Sequence, residues 1–255
     1  MAGVTPDGPV QHDDVRVRDI EARLSAVRRR IATAAEAAGR AEPKLIVVTK
    51  YFPSSDVRIL ADLGVRDVGE NRDQEASGKS AELEDLALTW HFIGQLQTNK
   101  AKSVVRYAHS VHSVDRAALV TALGKAVAGE QERRADAGLG ARDPLECFLQ
   151  FTLDAAATSG GRGGALPREA GALAEAVAAT AGLRLAGVMA VAPLGMPPAA
   201  AFERLLRIAD SVRAVDPSAT AVSAGMSGDL EEAVAAGATH LRIGSDVLGP
   251  RPAVG

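Results

Sequence analysis

The chain alternates short apolar runs with longer segments in which apolar residues recur every three or four positions. The first periodic segment carries Ile20, Leu24 and Val27 on one face, with arginine and glutamate between them, and Gly39 follows it. This spacing predicts one amphipathic helix that ends at a glycine in the left-handed conformation. Residues 1–12 lack the pattern and are predicted to form a disordered tail.

Eight apolar runs after this helix predict strands, and periodic segments between them predict helices. The predicted strands are 45–49, 66–69, 89–93, 110–114, 145–153, 185–191, 219–223 and 240–243. Predicted helices include 55–63, 116–128, 169–181, 200–215 and 229–236, and the segments 129–143 and 159–164 are predicted to be surface loops. Repeated strand-then-helix order requires parallel strands. We therefore predict an α/β fold, a single (β/α)8 TIM-type barrel over residues 13–255 with an extra N-terminal helix.

A barrel of this kind places its chemistry at the carboxyl ends of the strands. The polar residues predicted at those ends are Lys50, Glu70, Asn71, His91, Thr152, Ser223, Ser227 and the segment 242–245. Together they form the candidate site.

Lys50 comes directly after the first predicted strand and shares a face with Ile46 and Val48. If that face points into the barrel, the ammonium loses hydration, which favours the neutral amine and makes it a better imine-forming nucleophile. The alternative is a solvated lysine at the end of a strand.

Arg242 lies on the opposite face of its strand from Leu241 and Ile243. If those two residues pack under the helices, the guanidinium faces inward and needs an acceptor, because an unpaired buried charge is costly. The acceptor is either a carboxylate of the barrel or a ligand.

Glycine and serine follow the last two predicted strands, at Gly225-Met226-Ser227 and Gly244-Ser245. Barrels commonly bind phosphate in these two loops, through backbone N–H groups and hydroxyls. Ser227 and Asp229 are also explained as helix caps, because Asp229 and Glu232 have the spacing of a capping box.

Composition and charge exclude several function classes. The net charge is -3, with 29 basic and 32 acidic residues dispersed along the chain, so we expect no nucleic-acid partner. No apolar run reaches the ~20 residues that span a bilayer. A single cysteine, Cys147, is typical of a reducing compartment, and we expect the protein in the cytoplasm. The spacing of the histidines predicts no metal site, and His91 is interpreted as a hydrogen-bonded core residue or, alternatively, a base.

Seven segments match one known family in the right order. They are VVTK at 47–50, VGEN at 68–71, WHFIGQLQTNK at 90–100, SVDR at 113–116, GVMAVAP at 187–193, SAGMSGDLEEAVAAGATHLRIGS at 223–245 and VLGPR at 247–251. Together they resemble the pyridoxal-phosphate homeostasis protein family, whose members are related to the barrel domain of alanine racemase.

The resemblance implies which residues bind the cofactor. Lys50 would form an imine with the aldehyde of pyridoxal 5'-phosphate, Asn71 would lie close to its ring, and Arg242 would face its pyridine nitrogen. Three further residues would hold the phosphate: Ser227, Gly244 and Ser245, the last where the family usually has threonine.

Two departures from the family pattern concern the end of the fifth strand. Thr152 stands where asparagine is common, and the segment 158–162 lacks the Ser-Lys-x-Gly often found there. Both lie away from the residues expected to hold the cofactor, and they bear on contacts with partners or on cofactor transfer.

The same resemblance implies a carrier rather than an enzyme. An arginine facing the pyridine nitrogen disfavours its protonation, which makes the ring a poorer electron sink. The related racemases also need a second domain, and this chain ends a few residues after its eighth strand. We expect a monomer that stores the cofactor and delivers it to apo-enzymes. The alternatives are a pyridoxal-phosphate-dependent racemase or lyase, a Schiff-base aldolase in which Lys50 attacks a sugar phosphate, and a structural role without ligand.

Overall fold

The computed structural model describes residues 14–154, 163–193 and 195–251, and they form a closed barrel of eight parallel strands in the order β1 to β8. The strands are β1 Lys44–Val48, β2 Asp67–Glu70, β3 Thr89–Phe92, β4 Ala108–Val114, β5 Leu145–Gln150, β6 Leu183–Met189, β7 Ala221–Ser223 and β8 His240–Ile243. The helices are α1 Asp14–Ala37, α2 Ser54–Asp62, α3 Asp73–Glu82, α4 Ala101–Val104, α5 Ala117–Asp136, α6 Ala170–Ala178, α7 Pro198–Arg213, α8 Leu230–Ala236 and α9 Ser245–Leu248. Thr98–Lys100 and Pro167–Glu169 are 3-10 turns.

The predicted barrel and its N-terminal helix are confirmed, and all eight predicted strands overlap observed ones. Gly39 has a φ of 60°, as predicted for the residue that follows α1. The predicted tail at 1–12 and most of the predicted loop at 159–164 lie outside the described residues. The assignment of residues 13–255 to one domain stays a prediction.

The prediction of a surface loop over 129–143 is wrong in its first half, because α5 continues to Asp136. Gly129 and the charged residues after it resemble a loop in sequence. In the structure Glu130 accepts hydrogen bonds from Arg133 one turn later. A charged face of this kind is favourable on a helix, since residues three or four apart are neighbours there. The helix is followed by Gly138, with a φ of 67°.

Several predicted boundaries are also wrong. The fifth strand ends at Gln150 rather than at residue 153, and the first ends at Val48, so Lys50 lies in the turn beyond it. Helix α3 carries few apolar residues, and its sequence did not predict a helix.

The main hydrophobic core lies between the barrel and its surrounding helices. Leu241 and Ile243 of β8 are fully buried in this layer, whereas the side chain of Arg242 hydrogen-bonds across the barrel interior. The predicted inward orientation of Arg242 is therefore confirmed. The barrel interior itself is mostly polar, with a small apolar cluster at Phe148, Ala186 and Met189.

Helix α1 packs its apolar face on the barrel layer and joins the two ends of the chain. Arg30 donates hydrogen bonds to the carbonyl of Ser227 at 3.2 Å and to Asp246 at 2.8 Å. Arg16 donates to Asp56 and to the carbonyl of Leu248. The N-terminal helix thus holds the loops that follow β7 and β8. No helix in the described part of the chain is both long and apolar enough to cross a membrane.

Candidate functional site

A cavity of about 420 Å³ opens at the carboxyl ends of the strands. It is lined by Val48, Lys50, Phe52, Asn71, Ile93, Val191, Met226, Ser227, Gly228, Arg242, Gly244, Ser245, Gly249 and Arg251. The structure therefore brings together Lys50, Asn71, Ser227, Arg242, Gly244 and Ser245, which the sequence singled out from four separate regions of the chain.

Lys50 lies in a tight turn directly after β1. The turn is closed by the N–H of Phe52, which donates to the carbonyl of Thr49 at 3.1 Å. Tyr51 has a φ of 70°, the left-handed value that the third residue of such a turn requires and that glycine usually supplies. The turn sends Lys50 to the cavity wall, where its side chain is half-buried.

The surroundings of Lys50 favour a neutral amine. Burial lowers the pKa of Lys50, and the positive charge of Arg251 lowers it further, while Glu70 and Glu75 act in the opposite direction. A lysine with a lowered pKa holds more of the free amine at neutral pH, which is the form that attacks a carbonyl carbon.

Asn71 follows β2, the strand paired with β1, and Gly94 makes room for its backbone. A β-carbon at position 94 would lie 2.1 Å from the carbonyl oxygen of Asn71. The backbone after β2 therefore packs directly against the backbone after β3, which fixes the position of Asn71.

The loops after β7 and β8 form one end of the cavity. Gly225 has a φ of 93°, and a β-carbon there would lie 2.6 Å from Leu241. Asp229 accepts a hydrogen bond from the N–H of Met226 at 2.6 Å and makes no side-chain bond to the helix that it precedes. The predicted capping box at Asp229 and Glu232 is therefore wrong, because this carboxylate closes the loop around Ser227 instead.

Arg242 is buried at the floor of the cavity without a carboxylate partner in the described residues. Its side chain donates to Ser223 Oγ at 2.6 Å and to the carbonyl oxygen of Ala190 at 2.9 Å. Burial lowers its pKa to about 10, and the charge of Asp229 only partly opposes that effect. Of the two acceptors considered for this guanidinium, the ion pair with a barrel carboxylate is not formed. Its charge is open to a ligand in the cavity.

A chain of hydrogen bonds runs from Arg242 through the barrel interior. Ser223 Oγ lies 2.9 Å from His112 Nδ1, and His112 Nε2 lies 3.0 Å from Ser110 Oγ. Ser110 Oγ is 2.6 Å from His91 Nδ1, and His91 Nε2 is 2.8 Å from Asp67 Oδ1. The chain therefore joins β8 to β7, β4, β3 and β2.

With both histidines neutral, one set of directions satisfies this chain. An arginine can only donate and an ionised carboxylate can only accept. Ser223 then accepts from Arg242 and donates to His112, which donates to Ser110. Ser110 in turn donates to His91, which donates to Asp67. Each histidine carries one proton in this arrangement.

The burial of this chain favours the same protonation state. Burial is the main cause that lowers the pKa of His91, and it lowers the pKa of His112 well below the usual value of 6.5. Burial alone would raise the pKa of Asp67, but the hydrogen bond from His91 and the charge of Lys44 outweigh it, and the pKa is lowered.

Besides Ser223 and Ile243, three residues of the candidate list lie outside the cavity lining. Glu70 points under α3, where it accepts hydrogen bonds from Lys79 and Thr49 at 2.7 and 2.6 Å. His91 is the hydrogen-bonded core residue of the two interpretations considered for it. Thr152 contacts the segment around Ala165 through its backbone N–H. The divergent segment 158–162 lies outside the described residues.

The sequence did not predict that Tyr51 and Arg251 belong to the site, or that Ser223 and His112 form a hydrogen-bonded pair. The inward orientation of this serine on β7 and this histidine on β4 could have been predicted, because both alternate with apolar residues. Within the ranges described, no group of histidine, cysteine, aspartate or glutamate has the arrangement of a metal site.

The chain is similar to proteins of known name over most of its length. Residues 22–252 match the family model described as alanine racemase, N-terminal domain. The pyridoxal phosphate homeostasis protein of Mycobacterium tuberculosis is 42% identical and covers 92% of this chain and 94% of the relative. The protein of the same name from Escherichia coli K12 is 33% identical, with coverage of 92% and 98%. A structure of PipY from Synechococcus elongatus PCC7942 with PLP bound is 32% identical, covers 90% of this chain and 100% of that one, and has a TM-score of 0.74.

Replacing Ser223 by alanine should destabilise the protein by about 1–3 kcal/mol, because a donor on Arg242 and an acceptor on His112 would both lose their partner. Ser113→Ala is the matched control. Ser113 is equally buried, but its hydroxyl has no hydrogen-bond partner among the described residues, so its removal should be neutral or stabilising. Urea unfolding at pH 7.5 measures both; equal losses in the two variants would contradict the hydrogen-bond chain.

Stability should fall as the pH is lowered below about 6.5. The pKa values of His91 and His112 are lowered in the folded protein, so the unfolded chain binds protons that the folded one does not. Their contribution is present above pH 6.5 and decreases between pH 6.5 and 5.5, by at most about 1 kcal/mol per histidine. Urea unfolding across this range should show a smaller slope in His112→Gln than in the parent. An unchanged slope would mean that His112 is already protonated when folded.

Proposed function

Because the chain belongs to the alanine racemase N-terminal domain family and, within it, to the pyridoxal phosphate homeostasis proteins, we propose that it binds pyridoxal 5'-phosphate, holds it as a Schiff base on Lys50, and serves intracellular homeostasis of that cofactor. One observation carries the proposal. The amine of Lys50 and the buried guanidinium of Arg242 share a cavity with the loops of Ser227 and of Gly244 and Ser245.

The donor set of the cavity fits this cofactor group by group. Lys50 would bond the aldehyde carbon, with an amine whose lowered pKa suits that task. Ser227, Gly244 and Ser245 would hold the phosphate by hydroxyls and close backbone approach. Asn71 would lie beside the ring. Arg242, which lacks a carboxylate partner in the described part of the chain, would donate to the pyridine nitrogen.

The bound cofactor would supply an aldehyde that reacts with amines and a ring that withdraws electrons. The chain's own residues limit the second property. Arg242 can only donate a hydrogen bond, so a ring nitrogen placed against it would have to accept and would stay unprotonated. Ser223 and the carbonyl of Ala190 support this role, because they accept from Arg242 and hold its guanidinium in place. An unprotonated pyridine is a weak electron sink.

The lining of the cavity supports a carrier rather than an enzyme. Its titratable side chains, within the described residues, are Lys50, Arg242 and Arg251. Racemisation needs an acid–base group on each face of the reacting carbon. Lys50 can serve one face, and the two arginines remain protonated at neutral pH and cannot act as a base. Delivery of the cofactor to apo-enzymes, a monomeric state and a cytoplasmic location stay predictions.

Borohydride reduction of the protein with pyridoxal phosphate, followed by peptide mass mapping, should locate the cofactor on Lys50. The matched control is Lys50→Arg, which keeps the positive charge and should carry no reduced adduct. An adduct on Lys100 or Lys102 instead would contradict the assignment, because both follow β3 and lie outside the cavity lining.

The cofactor-loaded protein should not exchange the Cα proton of amino acids. Incubation with L-alanine in deuterated water, read by mass spectrometry and by D-alanine assay, tests this directly. Exchange that continues over many turnovers and is lost in Lys50→Ala would make the protein an enzyme. In that case the racemase or lyase alternative would replace the carrier.

A further inference from the structure

Two arginines, Arg72 and Arg251, lie on the ring of Tyr51, and Arg251 also lines the cavity. The guanidinium carbons of Arg72 and Arg251 are 5.5 and 5.0 Å from the centre of the Tyr51 ring. Both distances lie within the range of cation–π attraction, about 6 Å. Because Tyr51 follows Lys50 directly, its ring holds both guanidinium groups on the side of the site where Lys50 lies.

Tyr51 is held in a backbone conformation that its residue type disfavours. It is the only residue other than glycine with a positive φ in the described ranges. Strain of this kind in a bulky residue persists only where surrounding contacts impose it, and it concentrates at functional sites. The N–H of Tyr51 donates to Glu75 at 2.6 Å, which fixes the backbone. Glycine would form the turn without strain. The tyrosine therefore contributes its ring, on which the two arginines lie.

The cationic groups around Tyr51 lack a close carboxylate partner among the described residues. In the part of the chain that the structure describes, no carboxylate forms an ion pair with Lys50, Arg72 or Arg251. The nearby carboxylates Glu70 and Glu75 are both engaged by Lys79 at 2.7 Å. Arg251 is exposed to solvent and lines the cavity, so an anion can reach it from outside.

We propose that Arg251, seated on the ring of Tyr51, binds the carboxylate of a small organic acid beside Lys50, and that the acids it fits are α-amino acids. The second part rests on the proposed function, in which Lys50 holds a cofactor that reacts with amines. An α-amino acid carries its amine one carbon from the carboxylate. A carboxylate at Arg251 therefore directs the amine towards Lys50, whereas a simple amine lacks that contact.

The position of Arg251 favours a carboxylate from a second molecule over the phosphate of the cofactor. The loops after β7 and β8 already present Ser227 and Ser245 to a phosphate. Arg251 instead lies on the tyrosine next to Lys50, close enough for its charge to lower the pKa of that amine.

Nuclear magnetic resonance of the full-length, cofactor-loaded protein with ¹⁵N-labelled arginine tests the proposal. The Nε–H signal of Arg251 is assigned by its loss in Arg251→Gln. Acetate and L-alanine should each shift it saturably, and ethylamine should not. Arg251→Gln should weaken binding of both acids about tenfold, followed at the amide of Tyr51 in uniformly ¹⁵N-labelled protein. Arg207→Gln, which removes an exposed arginine of α7, should leave binding unchanged.

Variants of the tyrosine separate the ring from its hydroxyl. Tyr51→Phe keeps the face on which Arg251 lies and should bind acetate as the parent does. Tyr51→Leu should weaken binding as Arg251→Gln does. Equal binding of acetate by the parent, Tyr51→Leu and Arg251→Gln would overturn the proposal.

Two further outcomes identify which hypothesis fails. If inorganic phosphate displaces acetate from Arg251 and Arg251→Gln loses its cofactor, the arginine belongs to the phosphate position and the proposal is wrong. The absorbance spectrum of the same samples reports cofactor content independently. Protein that takes up no pyridoxal phosphate yet binds acetate at Arg251 would contradict the proposed function and leave the anion position in place.

Discussion

The burial of Arg242, with no carboxylate paired to it among the described residues, is the constraint on which the interior of this barrel depends. A buried cation is costly, and a guanidinium offers only donors, so every neighbour has to accept. Ser223 and the carbonyl of Ala190 do so at the floor of the cavity. The chain of hydrogen bonds then continues through His112, Ser110 and His91 and ends at the acceptor Asp67. One charged residue thus explains why the centre of the barrel is polar, where branched apolar side chains are usual.

The stability of the protein and the orientation of its buried guanidinium depend on different layers of the structure. The apolar layer between strands and helices supplies the stability, while the polar interior orients a single guanidinium. Helix α1 links the two, since its apolar face belongs to the outer layer and its Arg30 holds the loop of Ser227. Phe148 stacks on His112 with ring centres 4.0 Å apart. One of the few apolar side chains inside the barrel therefore also orients a histidine of the hydrogen-bond chain.

Much of the fold and the cavity was predictable from sequence, because both depend on local patterns. Alternation of apolar and polar residues places Arg242 opposite Leu241 and Ile243 wherever β8 sits. The hydrogen bond between His112 and Ser223, by contrast, joins residues 111 positions apart, and its existence depends on the register of the four strands from β4 to β7. Local patterns also cannot reveal a tyrosine with a positive φ, since the turn around Tyr51 is stabilised by Glu75 from another helix. The predicted end of helix α5 came too early for a related reason. A run of charged residues is as compatible with a loop as with a solvent-exposed helix.

The hydrogen bond from Arg16 to the carbonyl of Leu248 spans 232 positions of sequence, and β1 pairs with β8 over a similar distance. During synthesis α1 and β1 leave the ribosome long before either partner exists. The apolar stripe of α1 must then remain without its final packing surface while most of the barrel is made. Contacts of such high sequence separation form slowly, and unpaired strand edges are prone to association. The cavity is complete only when β1 and β8 pair. Until then the edges of both strands are open, and the nascent chain is exposed to misassembly up to the last stage of folding.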